Sequence, residues 1–336
     1  MDLFELQIPA ERQHKIFKMI MHEQFAPERA VLQQWAEGFL DRDGKFVQEF
    51  QTSFESGMWE LYLHAALKEW GLPVDMTHHA PDFVVGGPQP FTMEATIAAP
   101  ARGGKPAFGY GVSDIPNDFT QFNIEASIRI CNSFTAKVKR YRDHYIKLPH
   151  VASKPFVIAI ASFDRPLAHL AAGRPVIAAL YGLYHDEAAT SPGATDIVSY
   201  NVSAAPKTED VAIDLGLFCD EAYSEVSAVL YSSVATWGKV RALADCPGAQ
   251  TVYTTFHPRA DSIMPVIRRT PKRAYVEHLH DGLMLLHNPF AKAPLESATL
   301  AHPRIAQMRP ALDGELVTEA PEDFLLVRML ESVTLR

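Results

Sequence analysis

The sequence predicts an α/β protein with a mixed central sheet flanked by helices. Its core order is helix, three strands, helix, strand. Three observations carry this. A helical stretch closed by Gly71 and Pro73 runs into a hairpin signal over 82–97. A continuous apolar stripe at helical spacing joins Phe119, Phe122, Ala126, Ile130, Phe134, Val138, Tyr141 and Tyr145. The uncharged run at 156–162 has the length of a strand buried on both faces.

The elements follow in order. Over 10–23 and 30–40, apolar residues recur at mixed three- and four-residue spacing, and 41–44 breaks the pattern. Residues 1–50 therefore read as an N-terminal helical addition. Ser53 is placed to cap a helix reaching about Trp70. Trp59, Leu63, Ala66, Leu67 and Trp70 share one side of it, with Glu60 beside that stripe. A short strand is expected over 72–79. A helix over 118–147 and the strand 156–162 complete the core, assigned to 51–235 with an insertion around 187–222. Residues 166–185 read as helical, 226–232 as a strand and 237–244 as a short helix. Strands are expected over 251–256, 274–278 and 283–287, the last two joined as a hairpin by His280-Asp281-Gly282. Residues 236–336 read as a C-terminal α+β extension packed on the core.

The hairpin brings acids together. Asp82-Phe83-Val84-Val85 precedes Gly86-Gly87-Pro88, and 91–97 alternates strictly. If Val85 pairs with Phe91, then Phe83 faces Met93 and Asp82 faces Glu94. Phe83, Val85, Phe91 and Met93 then share a buried face, and the two carboxylates stand about 5 Å apart at Cβ. Opposed carboxylates repel, and a bound cation removes that cost.

The chain has 336 residues, 47% apolar and 21% charged, with a net charge of −9. That balance argues against non-specific coating of nucleic acid, but a local basic groove still steers a polyanion. Two basic clusters exist: Arg129, Lys137, Lys139, Arg140, Arg142, Lys147 and Lys154, and Arg268, Arg269, Lys272 and Arg273. Solvated faces are the plainer reading of each. No apolar run is long enough to span a bilayer. Three scattered cysteines form no disulfide framework and no zinc motif, which suits a reducing cytoplasm.

Glu60 on the first helix, Pro81-Asp82 opening the second strand and Glu94-Ala95-Thr96 on the third resemble the PD-(D/E)XK nuclease superfamily, the restriction-endonuclease-like fold. The resemblance covers about a third of the chain. It implies metal-dependent hydrolysis of phosphodiesters in nucleic acid, namely DNA, with Mg²⁺ or Mn²⁺ as cofactor and a homodimer as a common assembly. Asp82, Glu94 and the Ala95 carbonyl would hold the metal, and Glu60 would orient metal-bound water or complete a second metal site. The family motif ends in a lysine where this chain has Thr96. Lys137, at the edge of the long helix's stripe, is the candidate to supply it from a neighbouring element, since its ammonium can reach past the helix. A snorkelling surface lysine is the other reading of Lys137. Without a lysine at the site, the chain would be a nuclease-like fold serving as a binding or assembly module. Lys139 and Arg140 are expected to point away.

Other constellations are weaker. Glu277, His278, His280, Asp281 and His287 are metal-capable, but nothing in the sequence fixes a third ligand. His78 and His79 read as strand-end polar residues. Gly103-Gly104-Lys105 lacks the rest of a phosphate-binding loop. Tyr141, Tyr145 and Trp70 read as core.

Overall fold

Every residue of Phe156–Ser162 is buried, and this strand lies inside an eight-stranded mixed sheet. The computed structural model describes residues 1–208, 210–260, 262–311 and 315–332; the last four residues of the predicted extension fall outside these. The chain begins with helices α1 (Lys15–Ile20), α2 (Ala26–Trp35), α3 (Phe46–Thr52) and α4 (Phe54–Glu69). Strands β1 (Val74–Asp75), β2 (Phe83–Val85) and β3 (Phe91–Ala98) follow, then α5 (Phe119–Asp143), β4 (Phe156–Ser162) and α6 (Arg174–Tyr181). The expected core order is therefore present. Two small hairpins come next, β5 (Leu183–His185) with β6 (Ser199–Asn201) and β7 (Ala204–Thr208) with β8 (Val211–Asp214). The remainder is β9 (Ala228–Ser232), α7 (Trp237–Leu243), β10 (Thr251–Arg259), β11 (Ser262–Pro271), β12 (Met284–His287), β13 (Ala306–Pro310), β14 (Leu316–Glu319) and β15 (Val327–Ser332).

The main sheet runs β1-β2-β3-β4-β9-β12-β13-β14, and β11-β10-β15 form a second sheet. β3, β4 and β9 are parallel neighbours. Period-two alternation sorts β4 between two cores. Val157, Ala159 and Ala161 face the layer of α1–α4 and α7, with Trp59 and Phe83. Phe156, Ile158 and Ile160 face the layer of α5 and α6, with Ile130 and Phe134. Trp59 and Tyr62 are fully buried, and each also donates a hydrogen bond, to the Ala159 and Leu279 carbonyls. Burial of each such large side chain is worth about 1.5–3 kcal/mol. Among the described residues, no helix is long and apolar enough to cross a membrane.

Several local expectations change. The Ser53 hydroxyl donates to the Glu49 carbonyl at 2.9 Å and does not cap α4. The first strand is only Val74–Asp75. Phe119, read as part of the α5 stripe, is 42% exposed because it opens the first turn, outside the packed length. The stretch 166–185 holds only one true helix, α6. Strands β12–β14, from the region assigned to the extension, continue the central sheet.

Residues 274–278 form no strand, and the predicted hairpin with 283–287 is absent. Buried side chains hold this segment instead. Glu277 pairs with Lys239 at 2.5 Å and with Arg328, all three buried. Lys239 also donates to the carbonyls of His278 and Asp281, and Asp281 accepts from the His278 N–H. The backbone polar groups are satisfied without a ladder. Replacing Glu277 by Ala leaves two buried cations without their shared acid, and is expected to cost about 3–5 kcal/mol in urea unfolding.

Candidate functional site

The acidic hairpin has the expected register: Val85 opposite Phe91, Val84 opposite Thr92, Phe83 opposite Met93. The ladder stops there, one residue short of Asp82. In its place, each acid accepts from a backbone N–H across the gap, Glu94 from Asp82 itself and Asp82 from Ala95, the residue after Glu94. The Asp82 N–H donates to Glu94 Oε2 at 3.3 Å, and the Ala95 N–H donates to Asp82 Oδ2 at 2.8 Å. In an extended strand the N–H and C=O of one residue point to the same side. The Ala95 carbonyl therefore faces the edge that β2 has left, beside Asp82, and away from β4.

Glu94 pairs in register with Ile158 of β4, so its side chain stands in the α5 layer. It is 1% exposed. Lys137 Nζ lies 2.7 Å from Glu94 Oε1. The Tyr145 hydroxyl donates to the same oxygen at 3.1 Å, and Arg140 Nη1 approaches it at 3.4 Å. Arg140, expected to point away, therefore turns toward the site. It follows Lys137 by three positions, so it shares that edge of the helix. Tyr145 lies just past the end of α5 in a short 3₁₀ turn. Its place at the end of the apolar stripe was visible in the sequence, but its hydroxyl's target was not.

Arg42 also belongs here and had no sequence signal. It sits in the 41–44 break, its Nη2 3.8 Å from Asp82 Oδ1, its Nη1 bonded to the His78 and Pro81 carbonyls. His150 donates to the Ala80 carbonyl at 2.7 Å and stacks on His78 with ring centroids 3.7 Å apart. The Ala80–Pro81 peptide is cis.

Burial pushes the Asp82 carboxyl up to about 6, and the neighbouring Glu94 charge adds to the shift. Lys137, the Ala95 N–H and Arg42 pull the other way. Burial and then Asp82 raise Glu60 to about 8, with Lys137 and Arg42 opposing and Glu94 adding to the rise. Glu60 thus feels the charges of Asp82, Lys137, Arg42 and Glu94, though α4 packs on the other face of the sheet from α5.

The oxygen donors of Asp82, Glu94 and Ala95 are hard ligands of the kind Mg²⁺ takes, alongside retained waters. A cation there would relieve the repulsion that raises Asp82. The donor set fits such an ion. Glu60 completes no tight chelate with Asp82 and Glu94. Among the described residues, the one trio of metal-capable side chains with ligand atoms all within 4.8 Å of one another is Glu69, His280 and His302. The other predicted metal-capable residues disperse: Glu277 is ion-paired, Asp281 binds Arg304 at 2.6 Å and His287 binds Gln307 at 3.0 Å.

Of the basic clusters, Lys139, Arg140, Arg142 and Lys147 are exposed around the end of α5, with Arg142 paired to Glu225. Lys272 of the second cluster is buried and donates to the Arg241 and Ala242 carbonyls.

The raised carboxyls set a pH dependence. Folded Asp82 and Glu60 bind protons at higher pH than they do when unfolded, so their contribution to stability falls as pH rises from about 5 through about 8. In EDTA, thermal unfolding from pH 5 to pH 9 should show Glu60→Gln gaining on wild type at the alkaline end. No gain at pH 9 would contradict the stated cause.

No protein-family model, no curated protein and no solved structure matches this chain.

Proposed function

We propose that the protein is a metal-dependent nuclease that hydrolyses phosphodiester bonds, with DNA as its substrate and a restriction-endonuclease-like core. One observation carries this: Lys137 Nζ sits 2.7 Å from Glu94 Oε1, beside Asp82. A lysine from α5 thereby stands at the acidic pair although Thr96 occupies the motif's lysine position. The competing reading, a binding module without chemistry, draws on Thr96 and loses its main support once an ammonium stands at the acids.

Asp82, Glu94 and the Ala95 carbonyl would hold Mg²⁺ or Mn²⁺, which when bound supplies a Lewis acid for the phosphoryl oxygen and lowers the pKa of water. The chain's own groups supply the rest. Lys137 places a positive charge where an attacking oxygen and a phosphoryl oxygen must meet, which favours charge that develops there. Glu60, titrating at about 8, can hold or release a proton near neutral pH and is suited to general acid–base work. The exposed Lys139 on the same helix and Lys147 in the short turn after it suit contacts to a phosphate backbone.

Incubation of plasmid and linear DNA with Mg²⁺ or Mn²⁺ tests the reading. Wild type should cleave, EDTA should stop it, and Asp82→Ala or Glu94→Ala should lower the rate by about 10³-fold or more. Lys137→Ala should cost about 10²–10³-fold. Cleavage that survives both acid substitutions would sink the assignment. DNA binding without any cleavage by wild type would leave the binding-module reading in its place.

A further inference from the structure

We propose that Glu69, His280 and His302 form a zinc-type metal site that clasps the end of α4 to the two loops that precede β12 and β13. The proposal stands independently of the nuclease reading. Glu69 is nine positions after Glu60 on the same helix, about 14 Å along its axis.

The three ligand atoms lie within 4.8 Å of one another. His280 is fully buried, and its Nε2 lies 3.2 Å from the Ala66 carbonyl. A carbonyl can only accept, so Nε2 carries a hydrogen. Nδ1 faces Glu69 Oε1 at 3.0 Å. An imidazole and a carboxylate held at that distance share a positive centre, a proton on Nδ1 or a metal ion in its place. Ligands of a tetrahedral zinc ion stand about 3.3 Å apart, given metal–ligand bonds of about 2.0–2.1 Å. A small opening of the observed pair admits the ion. The bond from Nε2 to a backbone carbonyl is also the outer contact that orients a metal-binding imidazole.

His302 brings the second imidazole, with its ring centroid 4.1 Å from that of His280. Its Nδ1 accepts a 3.2 Å bond from the Arg304 N–H. Metal binding through either ring nitrogen gives up this local bond, which the coordinate bond replaces. Two imidazoles and one carboxylate leave one position open for water.

Trp70 supplies an independent sign. Its ring packs edge-on against both imidazoles, with centroids 4.2 and 6.3 Å away. Its Nε1–H is buried and has no acceptor. Such an orphan donor is costly. A metal-held water in the open position would give this donor an acceptor. Glu69 is exposed and His302 half-buried, so the ion has a path from solvent.

The test is zinc stoichiometry on the full chain, purified in EDTA, dialysed against Zn²⁺ and freed of loose metal. It is run in wild type and in Asp82→Ala, which removes the acidic hairpin as a competing ligand. The Asp82→Ala protein should retain about one equivalent. Adding His302→Gln or Glu69→Gln, at partly open positions, should lose it. At free Zn²⁺ about 100-fold above Kd, Asp82→Ala should melt about 4 °C higher, and the Asp82→Ala, His302→Gln double variant should not shift. No retained zinc in Asp82→Ala, or a full equivalent retained in the Asp82→Ala, His302→Gln double variant, would overturn the proposal. Either result would leave the nuclease reading untouched, since that is read from Mg²⁺-dependent cleavage at Asp82 and Glu94.

Discussion

A carboxylate on a central strand, almost wholly out of water, must have its charge answered by nearby groups. Glu94 is that group, and most of the candidate site follows from it. Its Oε1 gathers Lys137, Tyr145 and Arg140, and its Oε2 takes the Asp82 N–H. An isolated ionised carboxylate in such a place would be untenable, and several charge-assisted bonds make it tolerable. These bonds also fix the rotation of α5 against the sheet. The helix's apolar stripe could slide by a fraction of a turn at little cost; the Lys137–Glu94 pair could not.

The same rule governs the other side of the molecule. Lys239 and Arg328 share Glu277, all three buried, and their leftover donors satisfy carbonyls around 234 and 278–281. Arg328 belongs to β15 in the second sheet, Lys239 to α7, and Glu277 to the irregular segment between β11 and β12. A buried triad of this kind is poor evidence for net stability, because its desolvation is expensive. It does specify geometry. Only one placement of β15 over α7 pairs all three groups, and Gly238 permits it, since a Cβ there would sit 2.8 Å from Arg328 Nη2.

The sequence made legible what depends on period and turn chemistry. The Gly86-Gly87-Pro88 turn with alternation over 91–97 gave the hairpin register, and the register gave the Asp82–Glu94 encounter. The uncharged 156–162 run gave the buried strand. What it concealed depends on contacts distant in the chain. Arg42 lies in a break between helices, and only the fold sets it beside Asp82, 40 positions away. Arg140 was misread because it stands outside the apolar stripe; the relevant question was its distance from Lys137 along one helix edge. Segment 274–278 looked like a strand because Tyr275 and Val276 favour extension. The neighbouring Glu277 was decisive, since its partners lie in α7 and β15. Strands β13 and β14 were hidden by prolines and charge, which suit the outer part of a sheet.

The position of the acids also has a reason in the sheet itself. β2 pairs with β3 over only three residues, so β3 continues past its partner with one edge uncovered. Backbone polar groups on that edge need partners, and Asp82 supplies one by accepting from the Ala95 N–H. The Ala95 carbonyl on the same side remains directed at the gap. Had β2 extended two residues further, that carbonyl would belong to a ladder, and Asp82 would be a paired strand residue. A short second strand is therefore what leaves the oxygens of Asp82 and the Ala95 carbonyl outside a ladder. The charged groups of α5 then determine whether the cluster is stable without a cation. Lys137 and Arg140 balance Glu94, while burial keeps the proton affinities of Asp82 and Glu60 raised, with the neighbouring carboxylates adding to the shift. The acids least able to hold a negative charge unaided thus stand beside the open edge of β3, where a cation would displace their protons and take their place.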